Sequence, residues 1–317
     1  MTGMEHAAGV SVIHHRNPEE LDESVRADVV AMVSFGFAPD RLAVLPGLRL
    51  VAIPMAGINT LPVAALREAS VQVVNAHANG MWVAERALAL VLAHRGMIVR
   101  GDQDLRRGTW HGFAAGESPR DSWESLYDRP VAILGTGSIG QWTARFLSPL
   151  GVRLRGFRRR AGTEGLPEGL FESLHTDIAE AVEGAEVVVC TLPLTASTDG
   201  MVGPRELAAM QGALLVNVGR AAVIQEKALY DALSGGVLGG AALDTWYRYP
   251  DPPGSTQFPS EYPFWELDSV LLSPHLGGYT TSATTASARE VVDAVARWIT
   301  GGAEAGAGGT VDLEAGY

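Results

Sequence analysis

The sequence contains a single cysteine, Cys190, among its 317 residues. An intrachain disulfide is therefore excluded, and the apolar run EVVVCTL around this cysteine predicts a buried, unreactive thiol. Basic residues are also few, because 24 lysines and arginines against 36 aspartates and glutamates leave a net charge of −12. This charge disfavours nucleic acid and anionic membranes as partners, since both require a basic surface. A small soluble ligand is the better prediction.

Long hydrophobic runs are also missing, and none approaches the roughly 20 apolar residues of a membrane-spanning helix. The N-terminal segment MTGMEHAAGVSVIHH lacks the basic segment, apolar core and cleavage site of a secretory signal. We therefore expect a cytoplasmic protein without a membrane partner. A hydrophobic content of 47% and a charged content of 19% are typical of globular domains, and 317 residues suffice for two of them.

Glycine, by contrast, is abundant, and three glycines form the most informative motif of the chain. In VAILGTGSIG (131–140), an apolar strand precedes Gly135, Gly137 and Gly140 in G-x-G-x-x-G spacing. The first glycine permits a tight turn, the second lets backbone approach a pyrophosphate, and the third lets the next helix pack closely. The helix N-terminus then offers free N–H groups to phosphates. We interpret the motif as a dinucleotide site, with an ordinary glycine-rich turn as the alternative.

Short β-branched runs alternate with helical patterns along the chain, which predicts parallel βαβ units. Before residue 100 the predicted strands lie at 9–13, 28–35, 48–54 and 71–75. From Val131 onward they lie at 131–134, 152–157, 186–192, 213–218, 237–244 and 270–273, the layout of a doubly wound nucleotide-binding domain. One long helix is predicted over 81–99, and a final helix over 281–299 could return to the N-terminal domain.

Two further segments have distinctive compositions. The polar, tryptophan-containing connection that follows the predicted helix 81–99 and runs to residue 130 is typical of an interdomain or subunit contact. The Gly/Ala-rich tail is expected to be loose except near its end, VDLEAGY.

The residues after the second strand of this domain bear on which dinucleotide binds. An NAD-preferring site carries a carboxylate about 20 residues beyond the glycines, where it accepts the ribose hydroxyls. Here that position is Arg158, followed by Arg159 and Arg160. Because a guanidinium suits a 2'-phosphate, we predict NADP(H) as the cofactor. The alternative is NAD(H), with a solvated basic turn and nearby Glu164 binding the ribose.

Two residues follow strands directly, at the end of the sheet where open α/β sheets place their ligands. Arg220 follows the strand of LLVNVGR, and its planar fork could hold a carboxylate and polarise an adjacent carbonyl. His275 follows the strand of VLLSPHLGG, and imidazole can give and take a proton near neutral pH. A surface ion pair and a structural histidine are the alternatives. No metal site is predicted.

The chain resembles the D-isomer-specific 2-hydroxyacid dehydrogenase family over nearly its whole length. The matching segments occur in the family's order and approximate spacing: PMAGINTLP (54–62), NGMWVAERALALVLAHR (79–95), GTGSIG (135–140), TLPLTASTDGMV (191–202), GALLVNVGRAAVI (212–224), GGAALDTW (239–246) and SPHLGG (273–278). The resemblance implies an α/β protein, with a doubly wound parallel-sheet (Rossmann) cofactor domain inserted in a smaller flavodoxin-like substrate domain. We place these domains at 99–280 and at 1–98 with 281–317. A homodimer is also implied.

Residue roles follow from the same resemblance. Arg220 matches the arginine that grips the substrate's carboxylate and carbonyl, and His275 matches the acid/base. The backbone of Ala56 and Gly57 matches a carboxylate-binding loop, and Asn79 matches a substrate-contacting asparagine of the formate dehydrogenase branch. The predicted cofactor contacts are Gly135, Gly137, Ser138, Ile139, Gly140, Arg158, Arg159, Thr191, Leu192, Pro193, Thr198, Val218, Gly219 and Asp244.

One position departs from the family pattern. The family usually carries a glutamate five residues beyond the aspartate, paired to the histidine, and that position here is Tyr249. Without the carboxylate, we expect His275 to titrate lower than the usual paired histidine. Tyr249 could orient His275 by a hydrogen bond, or Asp251, Glu261 or Glu266 could substitute. The proline- and aromatic-rich loop 247–265 either lines the substrate pocket or is a rigid surface loop.

The function predicted from these residues is hydride transfer between a nicotinamide cofactor and a small 2-oxo acid or D-2-hydroxy acid. Tyr249 and Asn79 motivate an alternative substrate, formate or a phosphonate-type anion. A non-catalytic dinucleotide sensor is a third possibility, against which Arg220 and His275 argue.

Overall fold

The computed structural model describes residues 6–7, 10–14, 17–59, 61–112, 122–160, 162–301 and 310–313. The chain divides into two compact units, residues 1–79 with 281–317 and residues 80–280. The sequence-based boundary at 98 differs from the observed one at 79. The reason is that helix Gly80–Arg95 packs against helix Ser138–Leu147 of the second unit.

The first unit is built on a small parallel sheet. Its elements up to residue 79 are β1 (His6–Ala7), β2 (Val10–Ser11), α1 (Glu23–Asp28), β3 (Ala31–Val33), α2 (Arg41–Val44), β4 (Leu50–Ile53), α3 (Val63–Glu68) and β5 (Gln72–Asn75). The sheet order is β3-β4-β5, with parallel pairing, as predicted from the apolar runs. The first predicted strand does not join this sheet. It pairs instead with β1 as an antiparallel hairpin, so a parallel βαβ unit was the wrong prediction there.

The second unit is a doubly wound α/β domain. Its elements are α4 (Gly80–Arg95), α5 (Ile98–Leu105), β6 (Pro130–Leu134), α6 (Ser138–Leu147), β7 (Arg153–Phe157), β8 (Ser173–His175), α7 (Ile178–Val182), β9 (Val187–Cys190), α8 (Pro204–Ala209), β10 (Leu214–Asn217), α9 (Glu226–Ser234), β11 (Gly240–Leu243) and β12 (Val270–Leu272). Seven strands form one parallel sheet in the order β12-β11-β10-β9-β6-β7-β8. The six predicted strands and the Rossmann fold class are confirmed. The edge strand β8 was missed because it is short and only half-buried.

The central strands are apolar because helices cover both faces of the sheet. Every residue of β6, β9, β10 and β11 is buried. Alternate residues enter different cores: Val187 and Val189 pack with one cluster, Val188 and Cys190 with the other. Cys190 is fully buried, as predicted, and burial raises the pKa of its thiol to about 11.

The predicted single helix 81–99 is interrupted. α4 ends at Arg95 and α5 begins at Ile98, with Met97 in the left-handed backbone region at φ +52°. Gly96 lies at the break, where a glycine commonly closes a helix. The apolar pattern continues through the break, so the pattern alone could not reveal it. Of the connection predicted as a contact region, residues 113–121 lie outside the described residues.

The last helix, α10 (Thr281–Gly301), belongs to the first unit. Its Trp298 indole donates to Gln72 Oε1 at 2.9 Å, and Glu290 Oε2 accepts the backbone N–H groups of His77 and Ala78 at 2.7 and 2.6 Å. The return of this helix to the N-terminal unit is confirmed. In the tail, the backbone of Val311 donates to Val73, while residues 302–309 and 314–317 lie outside the described residues. Within the described part of the chain, no helix is long and apolar enough to span a membrane.

Candidate active site

The glycine turn between β6 and α6 has the geometry that a dinucleotide site requires. Gly135 has φ +99°, and its N–H donates to the Phe157 carbonyl at 3.0 Å. A Cβ at Gly140 would overlap the Gly135 carbonyl oxygen, whereas a Cβ at Gly137 would meet nothing within 4 Å. The open space at Gly137 lies at the N-terminus of α6, where a pyrophosphate would be stabilised by the helix dipole. These residues fit a dinucleotide, with Ser138 and Ile139 in the first turn.

The loops after β9 and β10 pack directly on this turn. The Thr191 hydroxyl is within hydrogen-bond distance of the carbonyl oxygens of Leu134 and Gly135, at 3.1 and 2.9 Å. A Cβ at Gly219 would approach the Leu192 carbonyl oxygen to 2.5 Å. Strand order changes direction between β6 and β9. The predicted cofactor residues of these three loops therefore meet at the topological switch point, where such sheets bind ligands.

The remainder of the loop after β9 is held by its own hydroxyl groups. Thr198 Oγ1 donates to the Pro193 carbonyl at 2.6 Å and accepts from the Thr195 N–H at 2.8 Å. On the neighbouring strand, the Val218 N–H donates to the Cys190 carbonyl at 3.1 Å. Pro193 is exposed, so it lies on the open side of this loop.

The arginine cluster follows β7. Arg158 Nη1 donates to the Gly162 carbonyl at 2.7 Å and Nη2 to the Glu164 carbonyl at 3.1 Å. Arg159 and Arg160 are exposed. The Glu164 carboxylate lies where a Cβ at Gly162 would overlap it. The two candidate groups for the ribose end of a dinucleotide, the arginines and Glu164, therefore share one loop.

Arg220 follows β10 and is fixed by backbone contacts on both sides. Its Nη1 donates to the Gly219 carbonyl at 2.8 Å, and the Asn217 side-chain amide donates to the Arg220 carbonyl at 3.2 Å. The Asn217 side-chain oxygen Oδ1 accepts the Gly219 N–H at 3.0 Å. Burial lowers the pKa of the Arg220 guanidinium, an effect partly opposed by Tyr249. Arg220 is thus a half-buried cation at the carboxyl end of the sheet.

His275 follows β12 in an unusual backbone conformation, with φ +56°. The buried Asp244 carboxylate holds the surrounding turn, since Oδ1 accepts the Ser273 hydroxyl and the Leu276 N–H at 3.0 Å. Its Oδ2 accepts the Gly277 N–H at 2.8 Å. A left-handed non-glycine residue persists only where its surroundings determine it. Here Asp244 supplies hydrogen bonds on both sides of the histidine.

A second group of contacts supports Asp244 and Ser273. Arg86 of α4 donates to Ser273 Oγ at 2.7 Å and places Nε 3.8 Å from Asp244 Oδ1. The Trp246 indole donates to the Ser273 carbonyl at 2.8 Å. Sequence reasoning assigned Asp244 to the cofactor and gave no role to Arg86, Ser273 or Trp246. Ser273 does lie beside the Pro-His pair in the sequence, but nothing local connects Arg86 with a residue 187 positions away.

Tyr249 lies against His275. Its hydroxyl is 2.9 Å from His275 Nδ1 and accepts the Trp246 backbone N–H at 3.1 Å. The ring centroids are 5.5 Å apart. Of the alternative partners considered for the histidine, Glu261 pairs with Arg248 at 3.0 Å. The position that carries a glutamate in the family pattern therefore contacts the histidine here as a phenol.

The surroundings of His275 disfavour its protonated form. The pKa of His275 is lowered below its ordinary value by burial first and by the Arg220 cation second, while Asp244 opposes the shift. Burial likewise raises the pKa of Tyr249, with the Trp246 N–H and Arg220 opposing. The expected difference between His275 and a carboxylate-paired histidine stays a prediction, because the largest cause of the shift found here is burial.

The loop 247–265 is anchored on the second unit. The Tyr247 hydroxyl donates to the Ile224 carbonyl at 2.9 Å, and Glu226 Oε1 accepts the Glu261 N–H at 2.5 Å. Fully buried Phe264 packs edge-to-face against Tyr230. The loop is thus anchored through Tyr247, Glu261 and Phe264, while Tyr249 near its start reaches His275. Whether it lines the substrate pocket stays a prediction.

The predicted substrate residues Ala56, Gly57 and Asn79 belong to the first unit. Ala56 and Gly57 follow β4, and the Ala56 carbonyl accepts from the Asn75 side-chain amide at 2.6 Å. Asn79 is half-buried at the end of that unit's N-terminal segment.

Comparison with known proteins identifies relatives of this chain. Residues 88–277 match the family model described as "D-isomer specific 2-hydroxyacid dehydrogenase, NAD binding domain". The D-3-phosphoglycerate dehydrogenase of Methanocaldococcus jannaschii is 30% identical over 94% of this chain but only 55% of its own length. The chain thus spans about half of that relative. The glycerate dehydrogenase of Methylorubrum extorquens is 27% identical over 90% of this chain and 87% of its own.

Comparison with solved structures finds the same fold. The NADPH-dependent glyoxylate/hydroxypyruvate reductase of Sinorhizobium meliloti, solved with NADP and malonate, superposes with a TM-score of 0.74 at 28% identity. The match covers 96% of this chain and 90% of that one. The match to the family model, the relatives' similarity and the glycine turn lead to one conclusion: the chain belongs to the D-isomer-specific 2-hydroxyacid dehydrogenase family and carries its NAD-binding domain.

Proposed function

We propose that this protein is an NAD(P)-dependent oxidoreductase that interconverts a small 2-oxo acid and the matching D-2-hydroxy acid. One observation carries the proposal: Arg220 and His275 each follow a strand of the parallel sheet that holds the glycine turn, at the carboxyl ends of β10 and β12. An anion-binding fork and an acid/base beside a dinucleotide site are the groups that this reaction needs. Relatives named as glycerate dehydrogenase and glyoxylate/hydroxypyruvate reductase support a small acid as the substrate.

In the proposed reaction, the glycine turn and the N-terminus of α6 would hold the pyrophosphate of a nicotinamide dinucleotide, which would supply or accept the hydride when bound. The Arg220 fork binds the substrate carboxylate and polarises the adjacent carbonyl oxygen. In the reducing direction, the protonated His275 gives its proton to that oxygen as the carbonyl becomes a hydroxyl, and the imidazole is left neutral. In the oxidising direction, the neutral imidazole takes the hydroxyl proton. We assign Ala56, Gly57 and Asn79 to substrate binding on the family resemblance.

We propose NADP(H) as the preferred cofactor, because Arg158 and Arg159 occupy the position of the usual carboxylate. The carbonyl oxygens that hold Arg158 carry no formal charge, so a 2'-phosphate would still find a cation there. The S. meliloti relative is NADPH-dependent, which supports the same choice. NAD(H), with Glu164 on the ribose, is the alternative.

The proposal includes a homodimer in the cytoplasm. The exposed apolar side chains of the second unit include six on α5 and in the segments after it: Ile98, Val99, Leu105, Trp110, Trp123 and Tyr127. We take these side chains as the surface that a second copy would cover. The one cysteine is buried, so folding requires no oxidising compartment.

Oxidation of NADPH and NADH against a panel of small 2-oxo acids tests the proposed activity. On the substrate found, we expect Arg220→Ala to lower kcat/KM by on the order of 10²–10³-fold, the usual cost of removing such a donor. Arg220→Lys, which keeps the charge but loses the fork, should recover only part of that loss. Wild-type kcat/KM in Arg220→Ala would contradict the assignment.

The Tyr249–His275 pair, which lacks a carboxylate, supports a second candidate reaction, the oxidation of formate or a similar small anion. That reaction removes no alcohol proton, so it does not require His275 as an acid/base. Full activity of His275→Gln on such an anion, still dependent on Arg220, would favour it. A loss of about 10²–10⁴-fold in His275→Gln favours the 2-oxo acid reaction. Dinucleotide binding without turnover of any acid would instead indicate a sensor.

A further inference from the structure

We propose that the Tyr249 hydroxyl is a positioning group that replaces a carboxylate partner, so that the protonated His275 is an imidazolium beside a neutral phenol rather than one half of an ion pair. The inference rests on the proposed function for its catalytic consequence, but the pairing itself concerns two side chains of one unit.

Hydrogen-bond directions define the pair. The Trp246 backbone N–H can only donate, so at 3.1 Å the Tyr249 oxygen accepts from it. The phenolic proton is then available for His275 Nδ1, 2.9 Å away. A hydroxyl that donates to Nδ1 selects the neutral tautomer whose proton is on Nε2. Tyr249 therefore fixes both the orientation of the ring and the nitrogen that exchanges a proton.

The same hydroxyl also accommodates the protonated ring, but without compensating its charge. When Nδ1 carries a proton, the second lone pair of the Tyr249 oxygen accepts it and the phenolic O–H turns away. A carboxylate at this position would add an attraction between opposite charges, and a neutral phenol does not. The imidazolium is thus tolerated but not stabilised.

The other charged groups around His275 do not replace that carboxylate. Arg220, after β10, repels the imidazolium. Asp244, after β11, attracts it, but its oxygens already accept from Ser273, Leu276 and Gly277. Arg86 of α4, 3.8 Å from Asp244 Oδ1, offsets part of the carboxylate's charge. The sum of these groups leaves the neutral imidazole as the prevailing form at neutral pH.

The rates of reduction and oxidation then depend on pH in opposite ways. Reduction consumes a proton from His275, so its rate falls as pH rises through the histidine's pKa. Oxidation requires the neutral ring, so its rate rises over the same range. Because the pKa of His275 is lowered from its ordinary value, we expect the fall in the rate of reduction and the rise in the rate of oxidation to occur at a more acidic pH than an ordinary histidine would give.

Three variants separate the effect of side-chain charge at position 249 from the effect of side-chain shape. Tyr249→Glu supplies the carboxylate, Tyr249→Gln is its uncharged match, and Tyr249→Phe removes the hydroxyl alone. The pH profile of kcat/KM for reduction should have its midpoint at least about one pH unit higher in Tyr249→Glu than in Tyr249→Gln. Tyr249→Phe should lower kcat with little change in KM. Identical midpoints in the glutamate and glutamine variants would overturn the inference.

A second measurement does not depend on turnover. The ¹⁵N chemical shifts of the cofactor-free protein, with the His275 signal assigned by its loss in His275→Gln, report both tautomer and titration. We expect the Nε2–H tautomer in the wild type, a mixture of tautomers in Tyr249→Phe, and a higher midpoint in Tyr249→Glu than in Tyr249→Gln. An Nδ1–H tautomer in the wild type would refute the pairing. If these shifts appear but no 2-oxo acid is reduced, the proposed function fails and the pairing stands.

Discussion

At the scale of a single residue, we propose that Arg158 selects the cofactor. Its guanidinium is fixed in the loop after β7 by two carbonyl oxygens, of Gly162 and Glu164. Those contacts hold the fork in place without neutralising it, because amide carbonyls carry no net charge. A fixed cation at the ribose end distinguishes a 2'-phosphate from a 2'-hydroxyl by a charge-assisted hydrogen bond.

We therefore expect Arg158→Ala to lower kcat/KM with NADPH by on the order of tenfold to a hundredfold, since one hydrogen bond to a charged group is lost. With NADH the change should stay within about threefold. Arg153→Ala is the matched control, because it removes an exposed arginine at the opposite end of the same strand. Equal losses with both cofactors, or a wild type that prefers NADH, would argue for Glu164 instead.

At the scale of elements, the start of α6 combines two glycines with different duties. Gly140 lies against the Gly135 carbonyl, so a side chain there would collide with backbone that cannot move aside. Gly137 lies beside open space and has ordinary dihedral angles, φ −74° and ψ −164°. Gly140 is thus needed for the packing of helix on strand, and Gly137 for room beside the helix N-terminus.

The two alanine variants should separate these duties. Gly140→Ala is expected to reduce the free energy of unfolding by about 1–3 kcal/mol, the cost of overpacking, and thereby to lower Tm. Gly137→Ala should change that free energy by less than about 0.5 kcal/mol. It should nevertheless weaken NADPH binding about tenfold or more, measured by fluorescence titration. Unchanged affinity for NADPH in Gly137→Ala would contradict the placement of the pyrophosphate at this turn.

At the scale of the whole molecule, the exposed apolar surface of α5 is what most requires a partner. Ile98 and Leu105 are 61% and 51% exposed, and Trp110 beyond the helix is 60% exposed. Side chains of this size remain uncovered within the described part of the second unit. Covering them with a second copy would remove them from water, at roughly 25 cal/mol per Å² of apolar surface.

Light scattering should accordingly give a mass of about 67 kDa, twice that of the 33.5 kDa chain. The double variant Ile98→Asp with Leu105→Asp should shift the mass to that of one chain, because two charges would be buried in an apolar interface. Val292→Asp, at a 60% exposed position of α10, is the control and should leave the mass unchanged. A wild type that is monomeric at micromolar concentration would contradict the proposed dimer.

The sequence by itself determined the elements and motifs whose cause is local. Fully buried parallel strands appear as continuous apolar runs, so β6, β9, β10 and β11 could be predicted directly. β7 and β12 were also predicted, although they are only partly buried. The glycine turn follows from spacing within six residues, and Arg220 and His275 stand out because each directly follows a strand. The departure at Tyr249 was visible by counting from Asp244.

Only the tertiary structure decided which partners these residues have. The Tyr249–His275 contact joins residues 26 apart, and Asp244 reaches Ser273 across 29 residues. Hydrogen bonds of this kind leave no periodic trace in the sequence, because loops rather than regular elements bring their partners together. For the same reason, the assignment of α4 to the second unit and the commitment of Asp244 to the histidine turn emerged only from the fold.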